Sequence, residues 1–265
     1  MNIAVLIKQV PDTSEIKIDP KTGTLVREGV EGIMNPDDRL ALETALRLKD
    51  DHGGRVTALS MGPPQAVEVL AEAYALGADR GILLSDRFFA GADTVATSYT
   101  LGLALERLMQ DEPLDLVLCG RQAIDGDTAQ IGPQVAEHLG WPQLTYLERL
   151  ELEGDGLHGW RRLEDGVEEV ACPLPAVATV LAVPGELRWP RLDRLFMACE
   201  ENAPLEVWDA ATIGCPASRS GLRGSPTQVA RTFSPKGRRE TQWLEGSPAE
   251  QAAALLALLR EKNLA

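Results

Sequence analysis

The residues best suited to chemistry sit together where the chain reads Gly120-Arg121-Gln122-Ala123-Ile124-Asp125-Gly126-Asp127-Thr128-Ala129-Gln130-Ile131. Gly120 and Gly126 let backbone approach a ligand closely, and Asp127 or Thr128 can cap a following helix whose free N–H groups would hold a phosphate. Asp125 suits ribose hydroxyls or an adenine amine better than phosphate, whereas Arg121 suits a pyrophosphate, or an ordinary surface ion pair. A polar turn that merely caps a helix has the same composition, and spacing alone leaves the two readings level. A second group, Ala92-Asp93-Thr94-Val95-Ala96-Thr97-Ser98, offers hydroxyls at another helix start; taken by itself it reads first as an N-cap.

What is missing narrows the chemistry. No Walker A lysine motif and no G-x-G-x-x-G follows the first strand, and no G-x-S-x-G elbow occurs. His52, His138 and His158 stand beside no nucleophile, so no side chain is assigned as a catalytic acid, base or nucleophile. Caps account for Asp37, Asp93, Asp125 and Asp127 better than a magnesium site does, and no metal is expected. Cys119, Cys172, Cys199 and Cys215 have no C-x-x-C spacing and read as buried thiols. The expected agent is a bound cofactor that the protein holds. A formal net charge of −14 disfavours nucleic acid, yet backbone amides can still bind a small anion. No apolar run reaches the roughly 18 residues of a membrane span, and the N-terminus lacks a basic n-region and a cleavage site, so a cytoplasmic protein is expected.

These loops need strands and helices to hold them. Ile3–Ile7, Val56–Ser60, Gly81–Leu84 and Leu114–Cys119 read as short strands without period-two patterning. Between them, Asn35-Pro36-Asp37-Asp38 opens a helix with Ala41, Leu42, Ala45, Leu46 and Leu48 on one stripe, ended by Gly53-Gly54. Further helices run to about Leu76, from Asp93-Thr94 to before Pro113, and from Thr128 to Leu139. This β-α alternation predicts an α/β fold: a doubly wound, mostly parallel sheet buried on both faces. Glu148–Val170 predicts antiparallel hairpin strands, and Ala176–Val183 a further buried strand. In such sheets ligands bind outside the carboxyl ends of the strands, here at residues 8–12, 35–38, 61–65 and 120–131. The division predicted is an α/β nucleotide-binding domain over 1–215 and an arm over 216–265. Gly221, Pro226, Ser234, Pro235 and Gly237 make that arm loop-like, and the box Ser247-Pro248-Ala249-Glu250 opens a last helix with Ala252, Leu255, Leu256 and Leu259 on one face.

Taken in order, several of these pieces resemble the electron-transfer flavoprotein β-subunit family. They are Val5-Leu6-Ile7-Lys8-Gln9-Val10-Pro11-Asp12, Met34-Asn35-Pro36, Leu59-Ser60-Met61-Gly62-Pro63, Gly77-Ala78-Asp79, the 120–127 loop, Gly140-Trp141-Pro142-Gln143 and Ser225-Pro226-Thr227-Gln228-Val229. The resemblance implies a nucleotide site formed by Leu6, Lys8, Asn35, Pro36, Asp37, Asp38, Met61, Gly62 and Gly120 to Ile131. It also implies an obligate heterodimer with an α subunit that carries its own FAD, with the C-terminal arm reaching across to it.

Family β sites hold either structural AMP or a second FAD. The second FAD takes hydride from NADH and bifurcates the electron pair to the α-subunit FAD, which serves a dehydrogenase, and to ferredoxin or flavodoxin. Ser85-Asp86-Arg87 with Gly91 to Thr97 is similar to the bifurcating group, as is the Asp125-Gly126-Asp127-Thr128-Ala129-Gln130 loop; this adds Asp93, Thr94 and Thr97 to the implied cofactor site. The alternative is the AMP-holding adaptor between an acyl-CoA dehydrogenase and the α-subunit FAD. Arg188-Trp189-Pro190-Arg191-Leu192-Asp193-Arg194-Leu195 resembles the family's docking segment for an acyl-CoA dehydrogenase or similar flavoenzyme, with Leu192 as apolar anchor and Leu195 beside it. Cys199, Glu200, Glu201 and Asn202 stand where docking members carry lysines.

Overall fold

The apolar run that opens the chain forms β1 (Asn2–Leu6), and the placing of its neighbours sets the architecture. The protein is described from a computed structural model covering residues 1–12, 17–18, 25–26, 32–154, 156–200, 203–230 and 243–264. On one side of β1 lie β6 (Arg55–Met61), β7 (Arg80–Leu84) and β13 (Leu205–Trp208), all parallel. On the other lie β8 (Leu116–Gly120), β12 (Ala176–Val180) and β9 (Gln143–Glu153), parallel again. The expected hairpin, β10 (Gly156–Arg162) and β11 (Val167–Pro173), extends that edge antiparallel and completes a nine-stranded sheet. Between β1 and the first helix, β2 (Gln9–Pro11) pairs with β5 (Gly32–Met34), and β3 (Lys17–Ile18) with β4 (Leu25–Val26).

Strand order reverses between β1 and β8. From β1 the chain builds β6 and β7 outward one way and then β8 on the other side, with the late β13 added beyond β7, so the crevice beyond the carboxyl ends of β1 and β8 is the switch point where doubly wound sheets bind ligands.

Helices cover both faces. On one, α1 (Pro36–His52) and α2 (Val67–Leu76) bury Leu42, Leu46 and Leu70 with Ile3, Val5, Val56, Ala58 and Leu118. On the other, α3 (Thr94–Asp111) and α4 (Ile131–Leu139) bury Leu101, Leu105 and Val135 with Ala4, Leu6, Leu59 and Val117. Alternate strand residues therefore feed two separate cores, which is why each strand reads as an unbroken apolar run.

One boundary departs from expectation. The helix predicted from Thr128 starts at Ile131, with Gln130 at its N-cap, so neither Asp127 nor Thr128 caps it. Asp127 and Ala129 have φ of +56° and +53°, left-handed values that interrupt a right-handed helix.

Beyond the sheet, α5 (Leu192–Cys199) lies on α2, held by Arg194, which donates to the carbonyls of Tyr74 and Ala78 at 3.0 and 2.7 Å and stacks its guanidinium on the Tyr74 ring. A short turn, α6 (Gly221–Gly224), precedes α7 (Pro248–Glu261). Ser247 and Glu250 form the expected capping box, but no residue of α7 is buried. Ser234, Pro235 and Gly237 of the predicted arm, and Glu201 and Asn202 beyond α5, lie outside the described residues. Among the described residues no helix is long and apolar enough to cross a membrane.

Candidate functional site

The exits of β1 and β8 and the first turn of α1 meet at the switch point. Asn35 occupies the N-cap position of α1 but makes no side-chain cap. Instead its Nδ2 donates to the Gln122 carbonyl at 2.8 Å, and its Oδ1 accepts from Ile124 N at 3.1 Å. Asp38, one turn on, accepts from Lys8 N at 2.9 Å and from Gly120 N at 3.0 Å. The helix start is pressed so closely on β8 that a Cβ at Gly120 would lie 2.5 Å from the Asp37 carbonyl carbon. The close approach of α1 therefore requires the glycine, whereas a Cβ at Gly126 would meet only open space.

Charged side chains cross above this floor. Lys8 Nζ contacts both Asp125 oxygens, at 2.7 and 2.8 Å, joining the β1 exit to the loop. Arg121 Nε stands 3.3 Å from Asp37 Oδ2, and Gln122 Nε2 bonds to Asp127. Asp127 N donates to Ala123 O at 2.8 Å, closing the turn that precedes α4. Pro36 is the exposed first residue of α1; Met61 ends β6 and Gly62 follows it, with Gly62 N bonded to Leu84 O at 3.1 Å. Leu6 lies in the second core, and Ile131 packs on that core's edge. Ala123, Ile124 and Ala129 are half-buried; Asp125, Gly126, Asp127, Thr128 and Gln130 are exposed. Burial pushes the Asp38 carboxyl up to about 7 against the pull of its hydrogen bonds. Burial, with the Asp38 charge adding to it, also pushes the Cys119 thiol well up, which suits an inert core cysteine.

The second cluster joins the first. Thr94 Oγ1 donates to Gln130 Oε1 at 2.9 Å, so the N-termini of α3 and α4 face one crevice, with Thr97 half-buried a turn along α3. α4 has no side-chain cap, leaving its first amides available to an anion. Asp93 does cap α3 through Ala96 N at 3.0 Å. Its other oxygen accepts from Thr227 N and Oγ1 at 2.9 and 2.8 Å, and its own N–H donates to Ser225 Oγ. Burial works to raise the Asp93 pKa, but these hydrogen bonds together hold it below the ordinary carboxylate value. The sequence reading missed this link to residues 225–227, and the one signal for it was the ordered Ser-Pro-Thr motif.

Away from the crevice, Leu192 is 70% exposed and Leu195 41%, beside exposed Trp189, Phe196 and Met197. They form an apolar face that Arg194 pins to α2 without covering it.

This arrangement has close relatives. The family profile of the electron transfer flavoprotein domain matches residues 22–209. The electron transfer flavoprotein subunit beta of Clostridium acetobutylicum is 45% identical over 263 residues, 99% of each chain. The caffeyl-CoA reductase-Etf complex subunit CarD of Acetobacterium woodii is 46% identical over 266 residues, 100% of each chain. Protein FixA of Azotobacter vinelandii is 43% identical over 267 residues, 98% of this chain and 94% of its own. Likeness along the whole length, on a sheet whose switch point carries the matching loop, means that the chain belongs to the electron transfer flavoprotein family, among its β subunits.

Proposed function

We propose that this chain is the β subunit of a cytoplasmic heterodimer and binds a second FAD at the β1/β8 crevice, alongside the FAD of its α subunit. The observation that carries the reading is the Thr94–Gln130 hydrogen bond, which turns two helix N-termini toward one crevice. AMP needs donors for one phosphate; FAD brings a pyrophosphate and a ribityl chain, and a second helix start supplies donors for them. When bound, that FAD would take hydride from NADH and bifurcate the pair to the α-subunit flavin and to ferredoxin or flavodoxin. The chain's own residues bind and orient: amides at the start of α4 face the phosphates, Asp125 serves the ribose or adenine, and the loops keep water from the reacting ring. Exposed Trp189, Leu192 and Phe196 are the proposed docking face for an acyl-CoA dehydrogenase or similar flavoenzyme. One relative is named as a subunit of a caffeyl-CoA reductase-Etf complex.

Residues 216–265 would form an arm on the α subunit. α7 supports this, because its box-capped helix leaves Leu255 and Leu256 exposed among the described residues.

A specific observation favours the second reading, structural AMP in an adaptor subunit. Both Asp93 oxygens are engaged within the chain, which removes one polar group from any larger ligand. Co-expression with the α subunit and a count of released nucleotides separates the two. Two FAD per heterodimer with NADH bleaching is the expected result, and one FAD with one AMP would defeat it. Thr94→Val, which breaks the link to Gln130, is expected to lose the β flavin and keep the α flavin.

A further inference from the structure

Further along α1, Arg39, Glu43, Arg47 and Asp50 recur at helical spacing and share one face of the helix. Glu43 is 2% exposed, and a carboxylate so buried needs partners for its charge. Its Oε1 accepts from Arg47 Nε at 2.7 Å, and its Oε2 accepts from Arg188 N and Nε at 3.2 and 3.0 Å. Burial works to raise the Glu43 pKa, but the hydrogen bonds from Arg47 and Arg188 hold it below the ordinary carboxylate value. The arginines reach further. Arg47 donates to the carbonyls of Pro184 and Glu186, the second at 2.7 Å, and Arg39 donates to the carbonyl of Arg188 at 2.6 Å. Arg188 closes the cluster on Asp50 Oδ2 at 2.9 Å.

Residues 181–191 belong to no helix or strand, so no regular ladder holds their backbone. Side chains of α1 hold it instead, at 184, 186 and 188, immediately before Trp189 and α5. α5 buries no residue of its own. Besides Arg194, it has the Arg191 N–H donating to Ala75 O at 2.9 Å and the Tyr74 hydroxyl donating to Met197 Sδ at 3.6 Å. We infer that Glu43 and Arg47 are positioning residues for partner docking, which fix the 184–188 segment on α1 and so hold exposed Trp189, Leu192 and Phe196 as one preformed face. This rests on the docking reading above. Glu43 is buried and acts through the segment, not by touching a partner. A face held in one arrangement binds without first being ordered, so loosening it weakens docking and leaves transfer within the docked complex unchanged.

The test uses the assembled heterodimer, wild type against Glu43→Gln and Arg47→Met, with urea unfolding to establish that each variant is folded. Glu43→Gln keeps the shape but turns an amide N–H₂ toward an arginine. Arg47→Met keeps the bonds between Glu43 and Arg188 and frees two loop carbonyls; it decides the matter should Glu43→Gln not fold. The heterodimer is the varied electron acceptor for an acyl-CoA dehydrogenase reduced by butyryl-CoA, and a dye reoxidises the heterodimer. KM for the heterodimer is expected to rise about tenfold with kcat within about twofold of wild type, and with nucleotide content unchanged. Brief trypsin treatment gives the local readout: cleavage after Arg188, Arg191 and Arg194 is expected to run about tenfold faster in the variants. Folded variants with wild-type KM, or with these three sites cut no faster than in wild type, overturn the inference and leave the docking face standing. A wild-type heterodimer that the reduced dehydrogenase cannot reduce overturns the docking reading and the inference together.

Discussion

Gly120 shows how little freedom single residues have at this site. A side chain there would run into the backbone of Asp37 and Asp38, which cannot swing aside as a flexible side-chain tip would. Gly120→Ala is expected to destabilise the fold by about 1–3 kcal/mol, the usual range for overpacking, read as a lower urea midpoint. Asp38 carries a separate, pH-dependent contribution. Its carboxyl is raised from 3.8 to about 7, so between those values the folded chain keeps a proton that the unfolded chain has released. The stability this contributes is complete below the lower value, drains away as pH rises toward 7, and changes no further above it. The stability difference between wild type and Asp38→Asn is therefore expected to shrink from about pH 4 to about pH 7; an unchanging gap in urea melts would show that Asp38 does not titrate there. At this scale the sequence singled out Asn35 and Asp38 without the bonds they make in the fold. Asn35 and Asp38 were legible as helix-start residues, but their bonds to main chain run to positions 30 to 89 residues away, which no local spacing encodes.

Among the elements, α7 differs from the helices of the sheet. α1 to α4 each bury a stripe, whereas α7 has no fully buried residue and still carries a complete capping box. A box of that kind fixes where a helix begins, and apolar side chains left outside need a partner. Leu255→Asp with Leu256→Asp is expected to abolish co-purification with the α subunit. The chain's own unfolding should move by no more than about 0.5 kcal/mol, as for surface changes elsewhere. A loss of stability comparable to a core mutation would mean that α7 packs on its own domain instead. Element existence was readable from apolar runs, Gly53 and the Ser247–Glu250 box, since these are local signals. The start of α4 was not, because the left-handed turns at Asp127 and Ala129 carry no glycine to announce them.

For the whole molecule, the governing feature is a sheet whose order reverses between β1 and β8 and whose loops are stitched together there by Asn35, Asp38, Lys8 and Thr94. A ligand that binds only this assembled crevice stabilises the entire fold by mass action. FAD at about a hundredfold over its dissociation constant is expected to add about 2.7 kcal/mol to unfolding, against none for riboflavin if the adenine end is what the loop holds. Equal stabilisation by riboflavin would place recognition on the ring and remove the adenine loop from the account. The formal charge of −14 sets a second condition, since a docking partner meets an acidic molecule and one with a basic docking face is favoured.

By itself the sequence determined the α/β class, the sites of most strands and helices and the antiparallel hairpin, because apolar periodicity, caps and glycine stops act within a few residues. Tertiary structure alone decided that β12 slips between β8 and β9, that two helix starts face one crevice, and that Asn35, Asp38 and Asp93 bond to distant backbone. The physical reason is range: hydrophobic pattern and capping are local in the chain, whereas a buried polar group takes whichever partner the packed fold brings within about 3 Å.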